Sequence, residues 1–146
     1  MSRSVAIATT LGAGVLAAIQ PAVNASLGRH VGNLGAAFVS LVFSAVLVGI
    51  LMLLLGEAGR LSDIGTVKPE HALGGIAGAT IVTVSLLAVR TVGAGAVIAL
   101  LVCTQLIVSV IADRYGWFGL HQIAVGPGRV LGTVLVIAGT LLVTKL

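Results

Sequence analysis

The chain has 146 residues, of which 58% are hydrophobic, 8% charged and 3% aromatic, and its mean hydropathy is +1.22. Soluble domains carry about 25% charged residues because their surface must be solvated, so this composition excludes a water-soluble domain. At about 20 apolar residues per crossing, the length allows five or six transmembrane helices and no separate soluble domain. We therefore expect one membrane-embedded domain over residues 1–146.

The charged residues and the single cysteine exclude several kinds of site. The net charge of +4 comes from Lys and Arg residues that are dispersed singly, which is typical of helix-end anchors and predicts no nucleic-acid partner. Cys103 lies alone in an apolar run, so the chain offers no internal disulfide and no multi-cysteine metal site. We expect no cofactor and no metal ion.

Five uninterrupted apolar stretches predict five transmembrane α-helices, with the termini on opposite sides of the membrane. A β-barrel would instead show alternating polar residues. The expected bounds are residues 5–26, 34–55, 69–89, 94–112 and 127–144. Pro69 and Pro127 suit helix starts, because the first turn tolerates a missing N–H. Tyr115, Trp117 and Phe118 are expected at headgroup level.

The cations give a weak orientation signal. Five are expected on one side of the membrane and three on the other: Arg3, Arg60, Lys68, Arg114 and Arg129 against Arg29, Arg90 and Lys145. This count is compatible with one fixed topology and with insertion in both orientations, which would allow an antiparallel homodimer. Arg3 and the stretch after it imitate a signal peptide, but the stretch is long enough to cross the membrane and we expect it to be retained.

Uncharged polar side chains occur in pairs at helical spacing in four of the five stretches. Residues three or four apart share a helix face, so each pair indicates a polar stripe. The pairs are Gln20 and Asn24, Ser40 and Ser44, Thr80 and Thr83, and Gln105 and Ser109. Ser and Thr often bond their own helix, which favours a structural role for those two pairs. The amides are equally compatible with bonds between helices and with contact to a solute.

Pro21 lies between the two amides of the first helix. Its ring removes one backbone hydrogen bond and frees the carbonyl of Ala17, which predicts a hinge before Asn24 unless the proline merely ends the helix.

No ionisable residue lies in the middle of a predicted helix. A proton-driven transporter usually keeps an acid at membrane depth, so the sequence does not support that mechanism unless packing draws Asp113 inward.

In the fifth helix, Gly132 and Gly139 are seven residues apart on one face, which predicts a packing seam.

The order of these motifs resembles the small YdcZ-type proteins of the drug/metabolite transporter superfamily. The segments that carry the resemblance are QPAVNASLGR at 20–29, AAFVS at 36–40, AVR at 88–90, Gln105, ADRYGWFG at 112–119, and Arg129 with Gly132 and Gly139. The resemblance implies a multi-pass protein of the bacterial inner membrane that works as a pair, often antiparallel. It also implies that the first four helices line a substrate path and the fifth holds the dimer together.

These observations lead to one preferred hypothesis, a small transporter that moves a polar small-molecule metabolite by alternating access as a dimer. The expected substrate contacts are Gln20, Asn24, Ser40, Thr83, Gln105 and Ser109, with Pro21 as the hinge and Gly132 and Gly139 at the dimer interface.

The alternative is a non-transporting membrane subunit or assembly partner of a related protein, in which the amides only bond helix to helix. A pore is less favoured, because no helix carries a ring of charge. The scattered histidines give no support for an enzyme. The expected partners are a second copy or a related subunit, the lipid bilayer and an unidentified solute.

Overall fold

The computed structural model of the chain describes residues 2–66 and 68–145. Its long helices are α1 (Arg3–Val31), α2 (Asn33–Leu54), α3 (Leu73–Val92), α4 (Ala94–Tyr115) and α5 (Pro127–Thr144). Short 3-10 helices form at Ala58–Thr66, Pro69–Ala72 and Trp117–Gly119, and the described residues contain no strand. All five long helices are apolar and long enough to cross a membrane, α3 together with the 3-10 turn before it. The predicted all-α fold with five spans is confirmed. Met1, Val67 and Leu146, which the expected domain includes, lie outside the described residues.

Three helices extend beyond their predicted ends. They continue to Val31, Val92 and Tyr115, where 26, 89 and 112 were expected. Each is followed by a glycine with positive φ, at 76° for Gly32, 84° for Gly93 and 65° for Gly116. Glycine adopts this conformation without a Cβ clash and so can end a helix. The prediction stopped each helix where apolar residues became sparse, whereas the backbone stays helical as far as the glycine.

Pro21 lies inside α1, and the helix continues from it to Val31. The interpretation in which this proline ends the helix is therefore wrong. A proline within a helix still removes one backbone hydrogen bond, and the hinge at Pro21 stays a prediction.

The chain forms two compact units, Met1–Arg90 and Thr91–Leu146. In the first unit α1 packs against α2. Its core consists of Ala36 and Ala37 of α2 with Leu86 of α3, and Leu27 and Val82 lie partly buried against them. Small residues at such a contact let helix backbones approach closely, which is how helices pack where lipid removes most of the hydrophobic driving force.

In the second unit α4 packs against α5. The hydroxyl of Thr140, a buried residue of α5, donates a hydrogen bond of 3.2 Å to the carbonyl of Ala99 in α4. The face of α5 that carries Thr140 is therefore turned toward α4 of the same chain.

Large apolar side chains are exposed along every long helix. Examples are Leu16 of α1, Phe43 of α2, Ile76 of α3, Val108 of α4 and Leu135 of α5. Such an exterior is unfavourable in water and favourable in lipid, so the structure fits a chain whose surroundings are the bilayer core.

Arg90, close to the end of α3, reaches α1 within the first unit. Its Nη2 donates a hydrogen bond of 2.8 Å to the carbonyl of Ala25. Gly28 leaves the space for this contact, because a Cβ at that position would lie 3.0 Å from Arg90 Nη2 and 3.1 Å from Asn33 Oδ1. A bond that joins α3 to α1 within the first unit therefore passes close to a position that carries no side chain.

We predict that Gly28→Ala lowers stability relative to Gly14→Ala. Both changes raise helix propensity equally, but Gly14 has nothing within 4 Å of its Cβ position, whereas a methyl group at Gly28 displaces the guanidinium of Arg90. The difference in free energy of unfolding should be about 1.5 kcal/mol, the contribution of one hydrogen bond to a charged group. Denaturation of the two purified variants in detergent measures it, and equal stabilities would contradict the role assigned to Arg90.

Candidate functional site

The polar side chains predicted on α1 and α2 meet in the first unit. Asn24 Nδ2 donates a hydrogen bond of 3.2 Å to Ser40 Oγ. Asn24 is buried, with 6% of its surface exposed, and Ser40 is half-buried. The bond engages one of the two amide N–H donors, so the amide keeps a second donor for another partner. The structure therefore joins two predicted site residues that belong to different helices.

The other predicted residues of the first unit lie apart from this bond. Gln20 is exposed on α1, four residues before Asn24, and Pro21 beside it is buried. Thr83 is half-buried on α3. Ser44 and Thr80, which share polar stripes with Ser40 and Thr83, bond within their own helices. The hydroxyl of Ser44 donates to the Ser40 carbonyl, and that of Thr80 donates to the Ile76 carbonyl.

Asn33, the first residue of α2, is a half-buried amide that was not predicted as a site residue. Its Oδ1 is buried and has no hydrogen-bond partner among the described residues. It lies beside Gly28, whose missing Cβ also makes room for Arg90. A possible signal is the position of an asparagine directly after Gly32, although this pattern is equally typical of an ordinary turn.

A cleft of about 350 Å³ lies between α4 and α5 in the second unit. The residues that line it are Leu106, Ser109, Val110 and Asp113 of α4 and Arg129, Gly132, Thr133 and Val136 of α5. Ser109 was predicted to contact substrate and Gly132 to form a dimer interface. The structure places both in one cleft of one chain.

One end of the cleft carries an ion pair. Arg129 Nη1 donates to Asp113 Oδ2 over 3.1 Å, and the two side chains are 37% and 29% exposed respectively. Asp113 follows Ser109 by four residues and Gln105 by eight, so it extends the polar stripe of α4 by one charged group. Packing against α5 therefore draws Asp113 partly inward, which was the condition for a buried acid in this chain.

Neither Asp113 nor Arg129 was among the predicted site residues. The prediction ended the fourth helix at residue 112 and so left the acid in a loop. A usable signal was present: an acid closes one apolar stretch and a base opens the next, and two antiparallel helices that follow one another in the chain bring such ends together.

The remaining predicted residues are exposed. Gln105 lies on the surface of α4, and a Cβ at Gly139 of α5 would meet nothing within 4 Å. Their roles in substrate contact and in dimer formation stay predictions. Among the described residues, no group of three or more His, Cys, Asp or Glu side chains is placed to hold a metal ion.

Comparison with known proteins identifies the family. The family model described as "Putative inner membrane exporter, YdcZ" matches residues 5–142. Comparisons with curated proteins and with solved structures returned no match. The matched range covers nearly the whole chain. It contains all five long helices apart from the first two residues of α1 and the last two of α5. This description is that of a membrane exporter. The chain belongs to the YdcZ family and is a multi-pass protein of the inner membrane.

Proposed function

We propose that the protein exports a polar small solute across the inner membrane by alternating access, as a dimer with a site near the membrane midplane. The family description supports export. The observation that carries the proposal is the hydrogen bond between the buried amide of Asn24 and the hydroxyl of Ser40. Hydrogen bonds between membrane helices contribute only about 0.6 kcal/mol on average, so a solute can replace one partner at little cost.

The packing of α1 supports a hinge at Pro21. Its buried residues are Pro21, Asn24, Ala25 and Gly28, all at or after the proline. This part of the helix is also bonded to α2 through Asn24 and to α3 through Ala25. The part before Pro21 is exposed nearly throughout. A helix that is held on one side of a proline and free on the other is able to bend there.

The dimer is proposed because one chain has half the helices of transporters built from two inverted repeats, whose site lies between the repeats. Two copies in opposite orientations would provide the same arrangement. The nearly even distribution of cations between the two expected sides is compatible with it.

The bond between Asn24 and Ser40 also favours a second candidate function. A non-transporting subunit would use the same bond only to hold α1 against α2. The two functions differ in what removal of the amide changes, either solute flux or assembly alone.

We predict that Asn24→Leu and Gln105→Leu abolish export without dissolving the dimer. The measurement compares the polar solutes that cells release with and without overproduced protein, and then follows the extra solute in each variant. Release should fall at least tenfold, equivalent to about 1.4 kcal/mol of lost stabilisation. Ser44→Ala is the matched control, because the hydroxyl of Ser44 bonds only the backbone of its own helix.

Unchanged release in both leucine variants would refute the site. If the intact protein released no additional solute and the leucine substitutions lowered only its stability or assembly, the non-transporting function would be favoured.

We also predict that the chain inserts in both orientations. A reporter that is active on one side of the membrane is attached to the N-terminus and, in a separate fusion, after residue 146. Each fusion should give signal from both orientations, because the cations are nearly balanced. Signal from one orientation alone would contradict the antiparallel homodimer and point to a parallel pair or a related partner subunit.

A further inference from the structure

We propose that the cleft between α4 and α5 binds a zwitterionic solute with an apolar side chain, whose ammonium group pairs with Asp113 and whose carboxylate pairs with Arg129. The inference rests on the proposed function, because it assigns the class of solute that is exported. It concerns a cleft within the second unit whose ion pair was not among the predicted site residues.

The lining of the cleft changes character along its length. Asp113 and Arg129 lie where α4 ends and α5 begins, whereas Leu106, Val110 and Val136 lie further from these helix ends. Residues 106 and 113 are separated by about 10 Å along a helix axis. A bound molecule therefore meets charged groups at one end and apolar walls at the other.

The charged end lies beside residues suited to the membrane interface. Tyr115 and Trp117 lie two and four residues after Asp113 in the chain and are exposed. Aromatic residues of this kind prefer the headgroup level, so the apolar end of the cleft extends toward the bilayer core. A solute would enter with its apolar side chain first and leave its charges at the ion pair.

The ion pair selects for a molecule with both charges. A solute with one charge would exchange the existing ionic contact for one new contact and so gain nothing from charge pairing. A zwitterion pairs both side chains, and its carboxylate suits the planar fork of a guanidinium.

Opening the existing pair is inexpensive. It is a single 3.1 Å contact between side chains that remain about one third exposed, and pairs of this kind contribute little to stability. The cleft volume of about 350 Å³ lies within the range of small-molecule sites.

Three probes of similar size test the proposal on the purified, full-length protein. Norleucine carries both charges, pentylamine only the positive one and hexanoate only the negative one. Equilibrium binding of each radiolabelled probe should show norleucine binding at least tenfold more tightly than either probe with one charge. Similar affinities for all three probes, or no binding of norleucine to folded protein, would overturn the proposal.

Variants show whether binding occurs at this cleft. Asp113→Asn and Arg129→Gln should each weaken norleucine binding at least tenfold, and so should the double variant, which retains polar side chains that can still hydrogen-bond. Glu57→Gln is the control, because Glu57 forms an exposed ion pair with Arg60 outside the cleft. Undiminished binding in the double variant would overturn the proposal.

The same preparation is assayed for phospholipid. If phospholipid co-purifies with the protein and is lost in the double variant, the cleft binds lipid, and the proposal of a zwitterionic solute is overturned. The binding assay does not depend on transport, so a failure of the proposed site can be told apart from a failure of the proposed export. If norleucine binds but cells release no additional solute, the result counts against export and not against the site.

Discussion

The bilayer core offers no water to hydrogen-bond a peptide group, and the rest of the structure follows from this constraint. Every backbone N–H and C=O at that depth must be satisfied by the chain itself, which restricts a single chain of this composition to helices. Helices in lipid gain little from burying apolar side chains against one another. The few polar contacts between them therefore carry more of the specificity than they would in water.

Four such contacts join different helices in the described part of the chain. Within the first unit they are the bonds from Asn24 to Ser40 and from Arg90 to Ala25, and within the second unit they are the bonds from Thr140 to Ala99 and from Arg129 to Asp113. Two of them use backbone carbonyls as acceptors, which no pattern of side chains reveals. The other two pair side chains that lie 16 residues apart on consecutive helices.

This distinction explains how much could be predicted from the sequence. The number, type and approximate bounds of the helices follow from apolar runs, because length and composition alone decide what spans lipid. The stripe of Gln105 and Ser109 was also visible, since helical spacing is local. Its continuation to Asp113 was missed because the helix end depends on Gly116, whose positive φ stops the helix three residues later than the apolar run suggests. The buried oxygen of Asn33 depends on packing against Gly28, which is a tertiary property.

The single-residue joint at Gly32, between α1 and α2, has a consequence for biogenesis. Signals that orient a membrane protein reside mainly in the loops between its helices. A joint of one residue leaves no loop there, so Arg29 and His30 remain part of α1 itself. The first two helices can then enter the bilayer as one hairpin with cations near both ends. Three of the remaining cations, Arg60, Lys68 and Arg114, lie in or beside the longer connections, which are synthesised after this hairpin.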